Sequence, residues 1–144
     1  MSTLNYFTST LKQTGMRLTP QRIAICQLLS ETNTHPTAAM IYGLIRGQYP
    51  SLSLMTVYNT LKMLVDLGVV NALGNAGDGQ VHYDGNTAPH INLACISCHK
   101  IEDINLPNIT DLGGDVSNAS GYTLLGARLL YYGLCPDCQK LTIQ

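Results

Sequence analysis

Residues 53–84, SLMTVYNTLKMLVDLGVVNALGNAGDGQVHYD, change their hydrophobic period midway, and that change decides the fold. Ser53 is a helix-capping residue type. Leu54, Val57, Leu61, Leu64 and Val65 follow at three- and four-residue spacing, and Gly68 stands where a helix closes in the left-handed conformation. The spacing predicts a helix with those five apolar residues as its buried stripe. From Val69 the period falls to two. Val69, Val70, Ala72 and Leu73 lead into Asn75-Ala76-Gly77-Asp78-Gly79 and then Gln80 to Asp84, which reads as a hairpin with a glycine-rich tip.

Upstream, Leu4, Phe7 and Leu11 share one helical face before Gly15. Thr19-Pro20 is an N-cap followed by proline at the first helical position, and Ile23, Ile25, Cys26, Leu28 and Leu29 continue that helix. A third helix begins at Thr37, carries Met40, Ile41, Leu44 and Ile45, and stops at Gly47. Helices followed by such a hairpin describe a winged helix. Downstream, residues 90–95 and 101–105 read as short strands and Gly121 to Gly133 as a longer one. Pro107 to Asn118 reads as a helix that Gly113-Gly114 weakens by about 1 kcal/mol per glycine. The expected fold class is α+β: a winged-helix domain over residues 1–84, a hinge over 85–89, and a small α/β domain over 90–144.

Of 144 residues only 17 are charged and 45% are apolar, which excludes disorder by composition. The net charge of −1 taken alone argues against a nucleic-acid binder, but the charges are unevenly spread. Residues 1–68 hold Lys12, Arg17, Arg22, Arg46 and Lys62 against Glu31 and Asp66, a net +3, so residues 69–144 carry −4. A basic helical half beside an acidic half is the asymmetry expected when one part meets phosphate and the other binds cations. No run approaches the roughly 20 apolar residues of a bilayer span, and the N-terminus lacks the features of a signal peptide. A cytoplasmic protein without a membrane partner is the expectation, and in that reducing compartment paired cysteines favour metal over disulfides.

Two pairs have metal-ligand spacing: Cys95-Ile96-Ser97-Cys98 and Cys135-Pro136-Asp137-Cys138. Each CxxC turn aims two thiolates at one ion, and two such turns complete a closed tetrahedral site, which is structural. A rubredoxin-like iron centre is the alternative for the same four thiols. Cys95, Cys98 and His99 also match the c-type haem attachment pattern, a reading that leaves Cys135 and Cys138 without a role. Cys26 reads as core. A softer cluster comprises His35, His82, Asp84, His90, Asn92 and Asp103. His82 and Asp84 lie two apart on one strand face, as do His90 and Asn92, and a sulfur-free set of imidazoles and carboxylates suits Mn²⁺ or Fe²⁺ better than zinc.

Gly15-x-Arg17-x-Thr19-Pro20-Gln21-Arg22, His35-Pro36-Thr37-Ala38, Thr56-Val57-Tyr58-Asn59-Thr60-Leu61, the hairpin into His82-Tyr83-Asp84, and the two CxxC pairs occur in the order seen in the ferric uptake regulator family. The chain resembles that family from Leu4 to Lys140 and is most similar to its peroxide-sensing PerR branch. The resemblance implies an N-terminal winged-helix DNA-binding domain, a C-terminal α/β dimerisation domain and structural Zn²⁺ on Cys95, Cys98, Cys135 and Cys138. It also implies a regulatory Fe²⁺ or Mn²⁺ on His35, Asp84, His90 and Asp103. The second histidine of the branch's H-x-H element falls on Asn92, a weaker and neutral ligand, which leaves three alternatives: a site that binds metal less tightly, one that uses fewer protein ligands, or one that recruits His82 from the strand face of Asp84. Where zinc-sensing relatives place a cysteine this chain has Asp84, which argues against zinc as the signal.

The resemblance further implies a homodimeric repressor, not an enzyme, on palindromic A/T-rich double-stranded DNA, serving metal homeostasis or the peroxide response. The helix from Ser53 would enter the major groove with Thr56, Tyr58, Asn59 and Lys62 outward. Asn59 suits an adenine edge, Tyr58 or Thr56 a thymine methyl, and Lys62 and Arg22 phosphates, while Arg17 suits a narrow minor groove. Readings from another class are a four-cysteine iron redox protein and a metal-binding module without DNA activity.

Overall fold

Three side-chain hydroxyls start three of the N-terminal helices. Thr19 accepts a hydrogen bond from the Arg22 amide at 3.3 Å, Thr37 from Met40 at 3.2 Å and Ser53 from Thr56 at 3.0 Å. Each cap satisfies an amide that the helix leaves unpaired, an effect of about 1 kcal/mol. The computed structural model describes residues 3–32, 34–74, 77–86, 90–104, 106, 111–124, 127 and 129–142. Parts of the expected hairpin tip (75, 76), of the hinge (87–89), of the fifth helix (107–110) and of the long strand (125, 126, 128), with residue 105 of the second short strand, lie outside the described residues.

Contacts divide the chain into two units, Met1–Ala72 with Val81–Asn86, and Leu73–Gln80 with Thr87–Gln144. The first contains α1 (Thr3–Gln13), α2 (Pro20–Glu31), α3 (Ala38–Ile45) and α4 (Leu54–Asp66). Phe7, Leu11, Ile25, Leu29, Ile41, Ile45, Val57, Leu61, Leu64 and Val70 form its core together with Cys26. Burial pushes the Cys26 thiol up to about 11, as expected of a thiol packed as a small hydrophobe.

α4 ends as its sequence indicates. Gly68 has φ +77°, its amide donates to the Val65 carbonyl at 2.9 Å, and the Val69 amide donates to Leu64 at 3.1 Å. This pair of bonds is the Schellman closure, and it needs a left-handed residue at 68. The buried face of α4 differs from the expected stripe. Val57, Thr60, Leu61 and Leu64 are buried, whereas Leu54 is 38% exposed and Val65 half-buried. Thr60 enters the core because its hydroxyl donates to the Thr56 carbonyl at 2.8 Å, so no polar atom is left unmatched. Met40 and Leu44 on α3, and Ile23 on α2, are also exposed. α3 has only eight residues, and Ile41 and Ile45 already take the line that packs on the core.

The hairpin strands are shorter than their alternation suggests: β1 (Asn71–Leu73) pairs with β2 (His82–Asp84). β2 has a second attachment that the pattern does not reveal. Thr37 bridges to His82, and the Tyr83 amide donates to the Pro36 carbonyl at 2.9 Å.

In the second unit, β3 (Ile91–Cys95) is central in a three-stranded sheet, antiparallel to β4 (Ile101–Ile104) and parallel to β5 (Leu129–Gly133). A parallel pair needs a long crossover, and the segment that carries α5 (Asp111–Ser120) supplies it. The long strand expected from Gly121 is confined to β5, because its partner β3 offers only five residues to pair with; the described residues 121–124 and 127 are not strand. α6 (Pro136–Thr142) follows. Among the described residues the core is thin: Leu73, Ala94 and Ile101, with Leu130 packed against them. Among the described residues no helix is long and apolar enough to cross a membrane. The architecture is α+β, a winged helix followed by a small α/β unit.

Candidate metal centres and nucleic-acid face

Cys95 is the last residue of β3, and its parallel neighbour on β5 is Gly133. The Ile96 amide donates to the Gly133 carbonyl at 2.9 Å, which brings the first CxxC turn to the start of the second. His99 closes the first turn. It takes φ +66°, and its amide donates to the Cys95 carbonyl at 2.8 Å. All four sulfurs lie within 4.8 Å of one another, with Cys98 Sγ and Cys135 Sγ 3.9 Å apart. Tetrahedral bonds of 2.3 Å put sulfurs about 3.8 Å apart, so the thiols fit one zinc ion.

Two amides, of Cys98 at 3.5 Å and Cys135 at 3.4 Å, point at Cys95 Sγ. These N–H groups favour the thiolate and draw the Cys95 thiol down to about 5. Cys138 behaves oppositely: a hydrogen bond with Ser97 pulls it down, but Cys135 and burial outweigh this and raise it to about 12. Four adjacent thiolates repel one another, and a divalent cation is what allows all four to ionise. Ser97 was not distinguishable as a thiol partner in the sequence, where it is one of the two variable positions of a CxxC.

The softer cluster is divided between the units. In the first, His35 sits in a left-handed conformation with φ +55°, uncommon for a residue with a Cβ. His82 Nδ1 and the His35 carbonyl are 2.7 Å apart, so this strand residue supports the strained backbone of its neighbour. Asp84 Oδ1 accepts from the Asn86 amide at 2.9 Å, and its Oδ2 lies 3.5 Å from His35 Nε2. In the second unit, His90 Nε2 lies 3.6 Å from Asp103 Oδ1. Both separations exceed hydrogen-bond length and approximate the spacing of two donors on one ion, about 3 to 3.5 Å for bonds near 2.1 Å. His35, His82, Asp84 and His90 are buried, and charged or polar groups so placed need a partner. Asn92, also buried, is cross-strand from Asp103.

On α4, Met55, Tyr58, Asn59 and Lys62 are exposed and Thr56 is half-buried, its hydroxyl 2.9 Å from that of Ser53. Lys62 pairs with Asp66 at 2.8 Å, a solvent-exposed contact that a phosphate can displace. Arg17 is exposed, and half-buried Arg22 donates through Nη1 to the Arg17 carbonyl, so the two basic residues are linked.

The model of the ferric uptake regulator family matches residues 13–132. The chain is 37% identical over 131 residues to the peroxide operon regulator of Bacillus subtilis (strain 168), an alignment covering 91% of this chain and 90% of that protein. Among solved structures it is similar to PerR from Streptococcus pyogenes, known for peroxide sensing and gene regulation, with 33% identity, a TM-score of 0.56, and coverage of 96% of this chain and 95% of that one. The ferric uptake regulator Fur of Helicobacter pylori, which has three functional metal binding sites, superposes with a TM-score of 0.77 over 96% of this chain and 92% of that chain. At 23% identity that likeness speaks to the fold.

Proposed function

We propose, starting from the fact that this chain belongs to the ferric uptake regulator family and is a metal-dependent transcriptional regulator, that it represses transcription as a homodimer on a palindromic A/T-rich operator. The reading keeps a DNA-binding domain over 1–84, a hinge over 85–89 and a dimerisation domain over 90–144, in a cytoplasmic protein that is not an enzyme. The observation that carries it is the pair of buried imidazoles, each about 3.5 Å from a carboxylate oxygen, in a protein whose capped α4 presents Tyr58, Asn59 and Lys62 to solvent.

Cys95, Cys98, Cys135 and Cys138 would hold Zn²⁺ as a structural cross-link. His35, Asp84, His90 and Asp103 would hold Fe²⁺ or Mn²⁺, with His82 positioning His35 through its carbonyl. Bound ions supply positive charge and fixed geometry to residues otherwise far apart in sequence. Such a ligand set couples metal to DNA, because the ion's differential affinity for the operator-competent conformation equals the gain in operator affinity. Tyr58, Asn59 and Thr56 would read bases, Lys62 and Arg22 would contact phosphates, and Arg17 would enter the minor groove.

The likeness to peroxide regulators favours one signal in particular. His35 or His90 in the iron-loaded protein would gain one oxygen atom from hydrogen peroxide, which is reduced to water, and the modified imidazole would no longer hold the ion. A palindrome-specific gel shift, run on zinc-loaded protein with Mn²⁺, Fe²⁺, Ni²⁺ or Zn²⁺ added in turn, tests the assignment. Mn²⁺ and Fe²⁺ should promote the shift. Promotion by none of the four would overturn the metal dependence, and promotion by Zn²⁺ alone would overturn the choice of ion.

A further inference from the structure

His90 immediately precedes β3, two residues before Asn92, and the β3–β4 register places Asp103 opposite Asn92. His90 Nε2 is 3.6 Å from Asp103 Oδ1, so the three polar side chains share one corner of the second unit. Asn92 is 2% exposed. Its Nδ2 donates to the Leu129 carbonyl of β5 at 3.4 Å, which fixes the orientation of the amide. The other end, Oδ1, is buried and has no hydrogen-bond partner among the described residues. A buried carbonyl oxygen without a donor destabilises the fold, and such groups in native proteins call for an explanation such as an ion.

We propose that Asn92 Oδ1 is an oxygen ligand of the regulatory divalent cation, and that it shifts the site toward oxygen-preferring ions and away from zinc. This rests on the regulatory-site reading above and adds to it a ligand and a basis for selectivity. An amide oxygen and a neutral imidazole carry the same formal charge, so exchanging one for the other leaves the electrostatics of the site nearly constant. What changes is donor type. Affinity rises from Mn²⁺ to Zn²⁺ more steeply for nitrogen than for oxygen donors, so an oxygen at this position narrows the advantage of zinc. The chain thereby replaces a zinc-favouring donor with a harder one and also loses one oxidisable ring.

The test uses the intact protein with its structural zinc in place. Mn²⁺ is titrated with the unbound ion counted by its EPR sextet, and Zn²⁺ affinity is measured by competition with a chromophoric chelator. Asn92→Leu removes the oxygen while keeping a side chain branched at Cγ, and should weaken Mn²⁺ binding by about tenfold or more. Its metal-free melting temperature should stay close to that of the wild type, since the orphaned acceptor is removed together with the Nδ2 hydrogen bond to Leu129. Where Asn92→Leu does not fold by circular dichroism, Asn92→Ala gives the same Mn²⁺ readout. Asn92→His should raise Zn²⁺ affinity by about tenfold more than Mn²⁺ affinity.

Wild-type Mn²⁺ affinity in the leucine or alanine variant, with His90→Ala and Asp103→Ala both weakened, would overturn the ligand proposal while leaving the regulatory site in place. Wild-type affinity in all of these variants would overturn the site itself and the proposal with it. Equal gains for both ions in Asn92→His would overturn the selectivity.

Discussion

Replacing Cys135 by serine should unfold the second unit while leaving the first intact. Cys135 supplies one of the four sulfurs, 3.9 Å from Cys98 Sγ, and its amide points at Cys95 Sγ. Among the described residues, three buried side chains, Leu73, Ala94 and Ile101, make up most of the hydrophobic core that would remain. Their burial is worth about 5–7 kcal/mol together, at about 2–3 kcal/mol for each large aliphatic residue and about 1 for alanine. A structural zinc contributes an apparent 10–16 kcal/mol in small domains, more than the net stability of most domains. The ion therefore outweighs the core, and Cys135→Ser should reduce tightly held zinc to well below one per chain. Thermal unfolding followed by circular dichroism should show the transition of the helical unit alone, and size exclusion should show loss of the dimer. Cys26→Ser, outside the cluster, should retain its zinc. A Cys135→Ser protein that keeps a stable dimer and a folded sheet would refute the claim that zinc holds this unit together.

Gly68→Ala should cost about 1–2 kcal/mol in denaturant unfolding, since φ +77° strains a residue with a Cβ and nothing lies within 4 Å to add a clash; unchanged stability would contradict the Schellman closure. Cys26, raised to about 11 by burial, stays neutral in the folded state, so its contribution is fully present below the ordinary thiol value of 9.0 and is lost as pH rises through about 11. Cys26→Ala should accordingly flatten the alkaline limb of the stability profile, and folded wild-type protein should resist alkylation at Cys26 at pH 8; rapid labelling there, mapped by mass spectrometry, would contradict the burial. Tyr58→Ala with Asn59→Ala should abolish the palindrome-specific gel shift and leave Mn²⁺ binding unchanged, whereas a retained shift would remove α4 from the recognition role. For the iron form treated with peroxide, peptide mass spectrometry should find about +16 Da on His35 or His90, and its absence from both would exclude peroxide sensing by that route.

The helices were legible because their signals are local. Thr19, Thr37 and Ser53 cap through hydroxyls three residues from the amides they bind, and Gly68 closes α4 within five residues. What the sequence hid depends on partners distant along the chain. The exposure of Leu54, Met40 and Leu44 follows from which helix sides find a neighbour, and hydrophobic spacing alone does not tell which. β5 is short because β3 is short, which no pattern within residues 121–133 could reveal. At the metal centres, the doubled CxxC spacing was sufficient to group four cysteines. The softer cluster was legible only as a set of residue types. That His82 holds the His35 carbonyl, and that Asn92 ties one amide end to Leu129 while burying the other, are matters of backbone placement.

The central claim is that an ion on His35, Asp84, His90 and Asp103 sets operator affinity. Fluorescence anisotropy of a labelled palindromic operator, titrated with zinc-loaded protein with and without Mn²⁺, tests it in wild type and in Asp84→Ala. The wild type should bind at least about tenfold more tightly with Mn²⁺, a coupling of about 1.4 kcal/mol, and Asp84→Ala should lose that gain while keeping its structural zinc. Equal operator affinity with and without Mn²⁺ in the wild type, or an undiminished gain in Asp84→Ala, would contradict it.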